Sequence, residues 1–362
     1  MAAPSPFRWI AALLAELPRS AQVRKALASN AIAPEAIAET ASRHRVSPSL
    51  ARALRETGLA PRLPAEFQDY CAVMAEINDE RNEALADLAR QLGGLLRAGG
   101  IDAVVLKGGA SLFDEAMPNR RERFLLDLDL LVDPAALAAA DRLLQDAGWH
   151  RLPEGGGDGH QLPTLARVGA PAAIDLHFAL LSPPYETLLS AAEVLEAAGA
   201  ASAGLPLRLP TVPHRLIHNV AHAQLADRSL ALGRLDLRQL LEFAALARRV
   251  SEPQLWSGIH ERFARHRALL ALEVHMLAAE ELLGLPPPLP LRRGSMARAM
   301  LARALWMEDH PRAANWSDRM LRPAVQFART LRRPSLRRRF WRNLRNPAWR
   351  RRQLATLRRR RT

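Results

Sequence analysis

Apolar residues recur at helical spacing through the first hundred positions, and the pattern then changes to alternation. The spacing predicts helices over residues 7–17, 34–44, 47–57 and 65–98, separated by Pro and Gly. The last of these carries Asp79, Glu80, Arg81 and Glu83 on its polar positions. Past Gly99 and Gly100 a β-rich run covers 101–106, then a helix over 110–114 and a strand over 124–132. An amphipathic helix over 134–147 follows, opening on Asp133 as its N-cap and ending at Gly148. A strand over 149–152 and a hairpin pairing 165–168 with 173–180 across Gly169, Ala170 and Pro171 complete the alternating region. The glycine-rich loop 155–159 is expected to be mobile. From Tyr185 the spacing is helical again. These elements predict an α+β fold, a small mixed β-sheet with helices, flanked by N-terminal and C-terminal helical regions. The expected divisions are 1–98, 99–183, 184–290 and 291–362.

The strand at 124–132 carries the chemistry. Leu126, Leu128 and Leu130 alternate with Asp127 and Asp129, so both carboxylates point to one face. Two acids at that spacing suit a divalent cation, because Mg²⁺ takes one or two carboxylates and leaves its other positions to water and phosphate. Upstream, Lys107, Gly108 and Gly109 form a turn whose glycines admit a close anion. A helix beginning near Ser111 would add free amides. The chain holds only two lysines, Lys25 and Lys107, against 49 arginines. A lysine beside the glycine turn therefore suggests a need for a compact ammonium there. Ile174 to Phe178 alternates as well and puts Asp175 and His177 on one face.

The run from Lys107 to Val132 resembles the signature of the nucleotidyltransferase superfamily, whose fold is the polymerase beta palm. More closely, "VVLKGGASLF", Arg123, "DLDLLVDP" and "AAIDLHFALL" resemble a bacterial nucleotidyltransferase-like group, over about residues 30 to 285. The resemblance implies a palm-like core at 99–183. It implies an NTP donor and Mg²⁺, with two ions expected on Asp127, Asp129 and Asp175. Asp175 would take a proton from, or orient, the attacking hydroxyl. Lys107, Gly108, Gly109, Ser111 and His177 would bind nucleotide or phosphate, and Arg123 would clamp triphosphate or pyrophosphate. His214, His218 and His222 recur every fourth residue on one predicted helix, without the intervening Glu that metallohydrolases use. The related proteins have a similar helix followed by Leu-Arg-x-x-x-acid, matched by Leu237 to Glu242, although they usually show Asp at the last position. Packing with a nucleotide-pocket edge at His222 and Arg238 is the expected role of these residues.

Charge changes the picture only at the C-terminal end. The chain has 362 residues and a net charge of +14, but 17 of its basic residues lie from Arg319 onward with no acid among them. Residues 1–318 then carry 34 bases against 37 acids, so polyanion attraction belongs to the tail. Arg clusters with Leu336, Phe340, Trp341, Leu344 and Trp349 suit an anionic membrane surface or RNA. Each basic contact at a lipid surface contributes about 1 kcal/mol. The single Cys71 excludes an internal disulfide and fits a reducing compartment. No apolar run reaches the ~20 residues of a membrane span. A cytoplasmic protein is expected, peripheral at the inner membrane surface if the tail binds lipid. Two functions fit. One is a nucleotidyltransferase moving a nucleoside monophosphate to a hydroxyl, amine or phosphate on a small molecule or peptide. The other is an inactive scaffold of the same fold, delivered to membrane or nucleic acid by the tail. Retention of three acids with Lys107 favours chemistry.

Overall fold

The computed structural model describes residues 5–15, 33–118, 120–152, 159–201, 204–288, 294–317 and 319–321. The expected loop at 155–159, apart from Gly159, and the basic stretch from residue 322 therefore lie outside the described residues.

Four helices come first: α1 (Pro6–Leu14), α2 (Pro34–Arg43), α3 (Ser47–Glu56) and α4 (Ala65–Ala98). Proline in the first turn opens the first three, where a missing N–H costs nothing and φ is already helical. Helix α4 ends at Gly99, and Gly100 at φ +70 turns the chain into β1 (Ala103–Val105). Then come α5 (Lys107–Leu112), β2 (Asp127–Val132), α6 (Leu137–Asp146), β3 (His150–Arg151), β4 (Leu165–Ala166) and β5 (Ala173–His177). The chain continues through α7 (Ala191–Ala197), β6 (Gly199–Ala200), β7 (Arg208–Leu209), α8 (Val212–Ala221), α9 (Ser229–Leu232) and α10 (Leu237–Ala247). It closes with α11 (Pro253–Arg265), α12 (Leu269–Leu283) and α13 (Ser295–Asp309).

One mixed sheet runs in the order β3-β4-β5-β2-β1-β7-β6. Its centre decides the site. β2 pairs parallel with β5 in a register that sets Asp129 opposite Asp175, and antiparallel with β1. The predicted hairpin is the antiparallel β4–β5 pair, with Leu165 opposite Ile174. Leu128, Leu130, Ile174 and Leu176 are fully buried beneath this sheet. Each contributes about 1.5–3 kcal/mol by leaving water. Leu85, Leu88, Leu92 and Leu96 of α4 recur at helical spacing and join that core. Several boundaries differ from expectation. The helix expected over 110–114 is α5 at Lys107–Leu112, so Lys107, Gly108 and Gly109 lie in its first turn and not in a turn before it. The strands β1, β4 and β5 are shorter than expected. β2 begins at Asp127, because Arg81 Nε donates to Leu125 O at 2.8 Å and its Nη2 to Leu126 O at 3.1 Å, occupying carbonyls a ladder would use. Asp133 closes a local turn to the amide of Ala135 at 2.7 Å, and α6 starts later, after Ala136.

A second apolar core joins α1–α3 to α10, α12 and α13. Polar ties reinforce it: Arg8 Nε donates to Asp309 Oδ2 at 3.0 Å, and His44 Nε2 lies 3.2 Å from Glu308 Oε2. Residues 1–309 form one unit and 310–362 another. No described helix is long and apolar enough to cross a membrane.

Within this core His275 packs edge-on against Phe243, ring centroids 4.8 Å apart, with Gln224 Nε2 3.0 Å from its Nδ1. Burial pulls its pKa down to about 3. The ring is thus neutral when folded and protonates near 6.5 when unfolded, so its stabilising share is complete above pH 6.5 and is lost as pH falls below that value. Between pH 6 and 4 the wild type should lose stability faster than His275→Gln by about 1.4 kcal/mol per pH unit. Urea unfolding at several pH values measures both slopes, and equal slopes would exclude His275 as the titrating group.

Candidate active site

Alternation in two neighbouring parallel strands brings the acids together. Residues 127 and 129 of β2 share a face with 175 and 177 of β5, and the register places Asp129 beside Asp175. Lys107 stands at the head of α5 with φ +48, a left-handed conformation that costs a non-glycine residue about 1–2 kcal/mol. Its Nζ donates to Asp129 Oδ1 at 2.6 Å. His177, fully buried, donates from Nε2 to the same oxygen at 2.8 Å. Asp175 Oδ1 accepts from Thr164 Oγ1 at 2.6 Å. One ligand atom each from Asp129, Asp175 and His177 lies within 4.8 Å of the other two, a donor set that fits a divalent cation. Asp127 lies one strand repeat away on the same face.

The electrostatics follow from this crowding. Burial disfavours the Asp129 carboxylate, yet Lys107 and His177 outweigh it and hold the group far below the usual range. Asp127 goes the other way: burial, then the negative charge of Asp129, push its pKa up to about 6 against the pull of Lys107. Lys107 loses by burial but gains more from Asp129, Asp127 and Asp175, so its ammonium is held above the usual lysine range. Burial and the nearby Lys107 charge keep His177 neutral despite Asp129. Added positive charge at this site would relieve the repulsion that raises Asp127.

Gly108 and Gly109, in the first turn of α5, pack closely against their surroundings. A Cβ on Gly109 would stand 2.6 Å from Val105 Cγ2, and one on Gly108 would collide with Leu125 Cδ2 and lie 3.1 Å from Arg123 Cζ. Only glycine lets α5 sit this close to β1 and to the loop before β2. That loop is held from behind, since Asn78 and Asn82 of α4 both donate from Nδ2 to Arg121 O at 2.7 Å.

Ser111 and Arg123 lie on a different network. Glu242 of α10, 7% exposed, accepts from Arg123 Nη2 at 2.8 Å and Nε at 3.0 Å through one oxygen, and from Ser111 Oγ at 2.7 Å through the other. Arg215 donates to Ser111 Oγ at 3.0 Å and to Asp114 Oδ2 at 2.5 Å. Burial opposes the Glu242 charge, but Arg123 and Arg215 hold its carboxyl below the usual range. This network bolts α5 and the Arg123 loop to α8 and α10.

Helix α8 presents the histidine row. A five-residue π-turn, His222–Ala226, follows α8 directly. His218 is 5% exposed, and burial, then the charges of His222 and Lys107, push it well below the usual range. His218, His222 and Lys107 line one cavity with Gln239 and Glu242. His222 Nδ1 lies 3.2 Å from Asp227 Oδ2, while His214 Nε2 turns to Glu193 Oε1 at 3.4 Å. Arg238 Nη2 lies 3.6 Å from Asp236 Oδ2, and burial, then the like charge of Arg123, pull its pKa down to about 10.

Five of the expected residues thus meet in one centre: Lys107, Asp127, Asp129, Asp175 and His177. His222 lines the adjoining cavity, and Ser111, Arg123 and Arg238 gather around Glu242. Thr164, Arg215 and the two asparagines of α4 were not foreseen. Asn78 and Asn82, spaced i to i+4 on an otherwise apolar face, are the one signal that pointed to a buried polar contact.

Neither curated proteins nor solved structures give a match to this chain. A family model does, and its span takes in every residue of the carboxylate centre and of the Glu242 network. With residues 30–284 matched to the model described as uncharacterised nucleotidyltransferase, the chain belongs to that family.

Proposed function

We propose that the protein transfers a nucleoside monophosphate from Mg-NTP to a hydroxyl, amine or phosphate acceptor on a small molecule or peptide, with release of pyrophosphate. The convergence of Asp129, Asp175 and His177 beside Lys107 and Asp127 carries this reading. Asp127, Asp129 and Asp175 would hold the magnesium, two ions being expected. Bound Mg²⁺ supplies positive charge to the triphosphate and to the charge that develops in transfer. Asp175, held by Thr164, orients the acceptor and takes its proton. Lys107 settles the Asp129 charge before substrate arrives and then offers its ammonium to phosphate. His177 fixes the Asp129 carboxylate through Nε2. His222 and Arg238 form the nucleotide edge of the pocket. Residues 319–362, with 17 arginines and no acid, would meet an anionic membrane surface or RNA.

Calorimetric titration of the full chain with ATP, GTP, CTP and UTP, each with Mg²⁺ and with EDTA, tests the reading. Binding of one nucleotide that needs the metal is the expected result and names the base for an acceptor search. Folded protein that binds none of the four, with or without metal, would favour the scaffold reading.

A further inference from the structure

A second cavity lies beside this centre and contains none of its carboxylates. It opens between the turn joining α2 to α3, the Arg120–Glu122 turn and α10, and measures about 780 Å³ with its mouth included. Six arginines line it: Arg45, Arg52, Arg120, Arg123, Arg238 and Arg248. Only two acids do, Glu122 and Glu242. Glu242 is taken by Arg123. Glu122 lies 3.7 Å from Arg52 Nε, and burial pushes its carboxyl toward the neutral form. Arg45, Arg120 and Arg248 have no ion-pair partner among the described residues. Arg238 Nε is buried without a hydrogen bond, and its guanidinium feels the like charges of Arg123 and Arg45.

Six arginines against two glutamates leave a surplus of four positive charges in the cavity lining, or two once Asp236 beside Arg238 and Glu56 beside Arg52 are counted. Arg45 and Arg248 are exposed and Arg120 is half-buried, so water screens part of that surplus, and what remains draws an anion toward the cavity mouth. A carboxylate brings one charge, whereas a phosphate group brings about 1.5 to 2 and matches the planar guanidinium fork. We propose that this arginine-lined cavity is a metal-independent subsite for a phosphate-bearing anion, separate from the Asp127, Asp129 and Asp175 centre. The phosphate comes either from the donor nucleotide or from a phosphorylated acceptor. The division of labour rests on the nucleotidyl-transfer reading, but the anion site itself does not.

The test titrates inorganic pyrophosphate into the full chain in EDTA, comparing wild type with Arg120→Gln/Arg248→Gln, with Arg45→Gln and with Asp129→Asn. Thermal melting confirms that each variant is folded. The arginine-rich segment after Arg319 is common to all four proteins, so differences among them report the cavity. One saturable site should weaken at least tenfold in the double variant and in Arg45→Gln, and stay unchanged in Asp129→Asn. No saturable site in the wild type, equal affinity in folded arginine variants, or loss of the site in Asp129→Asn would each overturn the proposal. Repeating the titration with Mg²⁺ and a non-hydrolysable NTP separates the sources. Competition assigns the site to donor phosphates, and simultaneous binding assigns it to a phosphorylated acceptor. Either result supports the phosphate subsite. Failure of the nucleotidyl-transfer reading would show instead as absent Mg-dependent NTP binding with pyrophosphate binding intact.

Discussion

Asp129→Asn should lower Mg-dependent nucleotide affinity at least a hundredfold. Among the described residues Asp129 is the one acid hydrogen-bonded to both Lys107 and His177, and it pairs across the sheet with Asp175. An asparagine keeps the shape and removes the charge that a cation would use. It also leaves the Lys107 ammonium, about one-fifth exposed, with only the flanking carboxylates of Asp127 and Asp175. Asp127 should respond, because the negative charge that helps push it up to about 6 is gone. Calorimetry with Mg-NTP reads the affinity, and a melting curve shows whether the fold persists. Metal-dependent affinity retained within a few-fold in folded protein would remove Asp129 from the metal centre.

Glu242→Gln should destabilise the protein by about 3–5 kcal/mol, the range seen when one partner of a buried ion pair is removed. Glu242 receives Arg123 on one oxygen and Ser111 on the other, and Arg215 leans on the same serine. Glutamine keeps the length but presents an amide to a guanidinium or a hydroxyl that needs an acceptor. Arg123, with a side chain 9% exposed, then stays buried without its Glu242 countercharge, and keeps only its hydrogen bond to the carbonyl of Phe124. Arg215 fares better because Asp114 still holds it. Chemical denaturation at neutral pH measures the loss, and a change under 1 kcal/mol would mean that the network is already solvated. Glu242→Asp, the residue that resemblance places here, should fall between the two, since its shorter reach cannot hold Arg123 and Ser111 together.

The carboxylate centre was legible in sequence because strand alternation is a local property. Asp127 with Asp129, and Asp175 with His177, needed only period two to share a face, and the structure adds the parallel register that joins the pairs. Helix positions were similarly readable where apolar spacing or proline marked them, as in α2 and α4. Boundaries failed where a distant side chain intervened: no local rule places Arg81 on the carbonyls of Leu125 and Leu126. The glycine turn illustrates a subtler gap. Gly108 and Gly109 were expected in a turn ahead of a helix near Ser111 but lie in the first turn of α5, and their steric need comes from Leu125, Arg123 and Val105, which only folding brings near.

Composition and spacing alone determined the mixed sheet with its flanking helices, the acid-bearing strands and the segregation of excess charge beyond Arg319. Each depends on neighbours along the chain. Tertiary structure decided which charges meet. Lys107 and Asp129 are 22 residues apart, Arg123 and Glu242 are 119, and Arg45 shares a cavity with Arg248 across most of the fold. Coulomb energy depends on distance in space and on exclusion of water, and neither quantity is written in the order of residues.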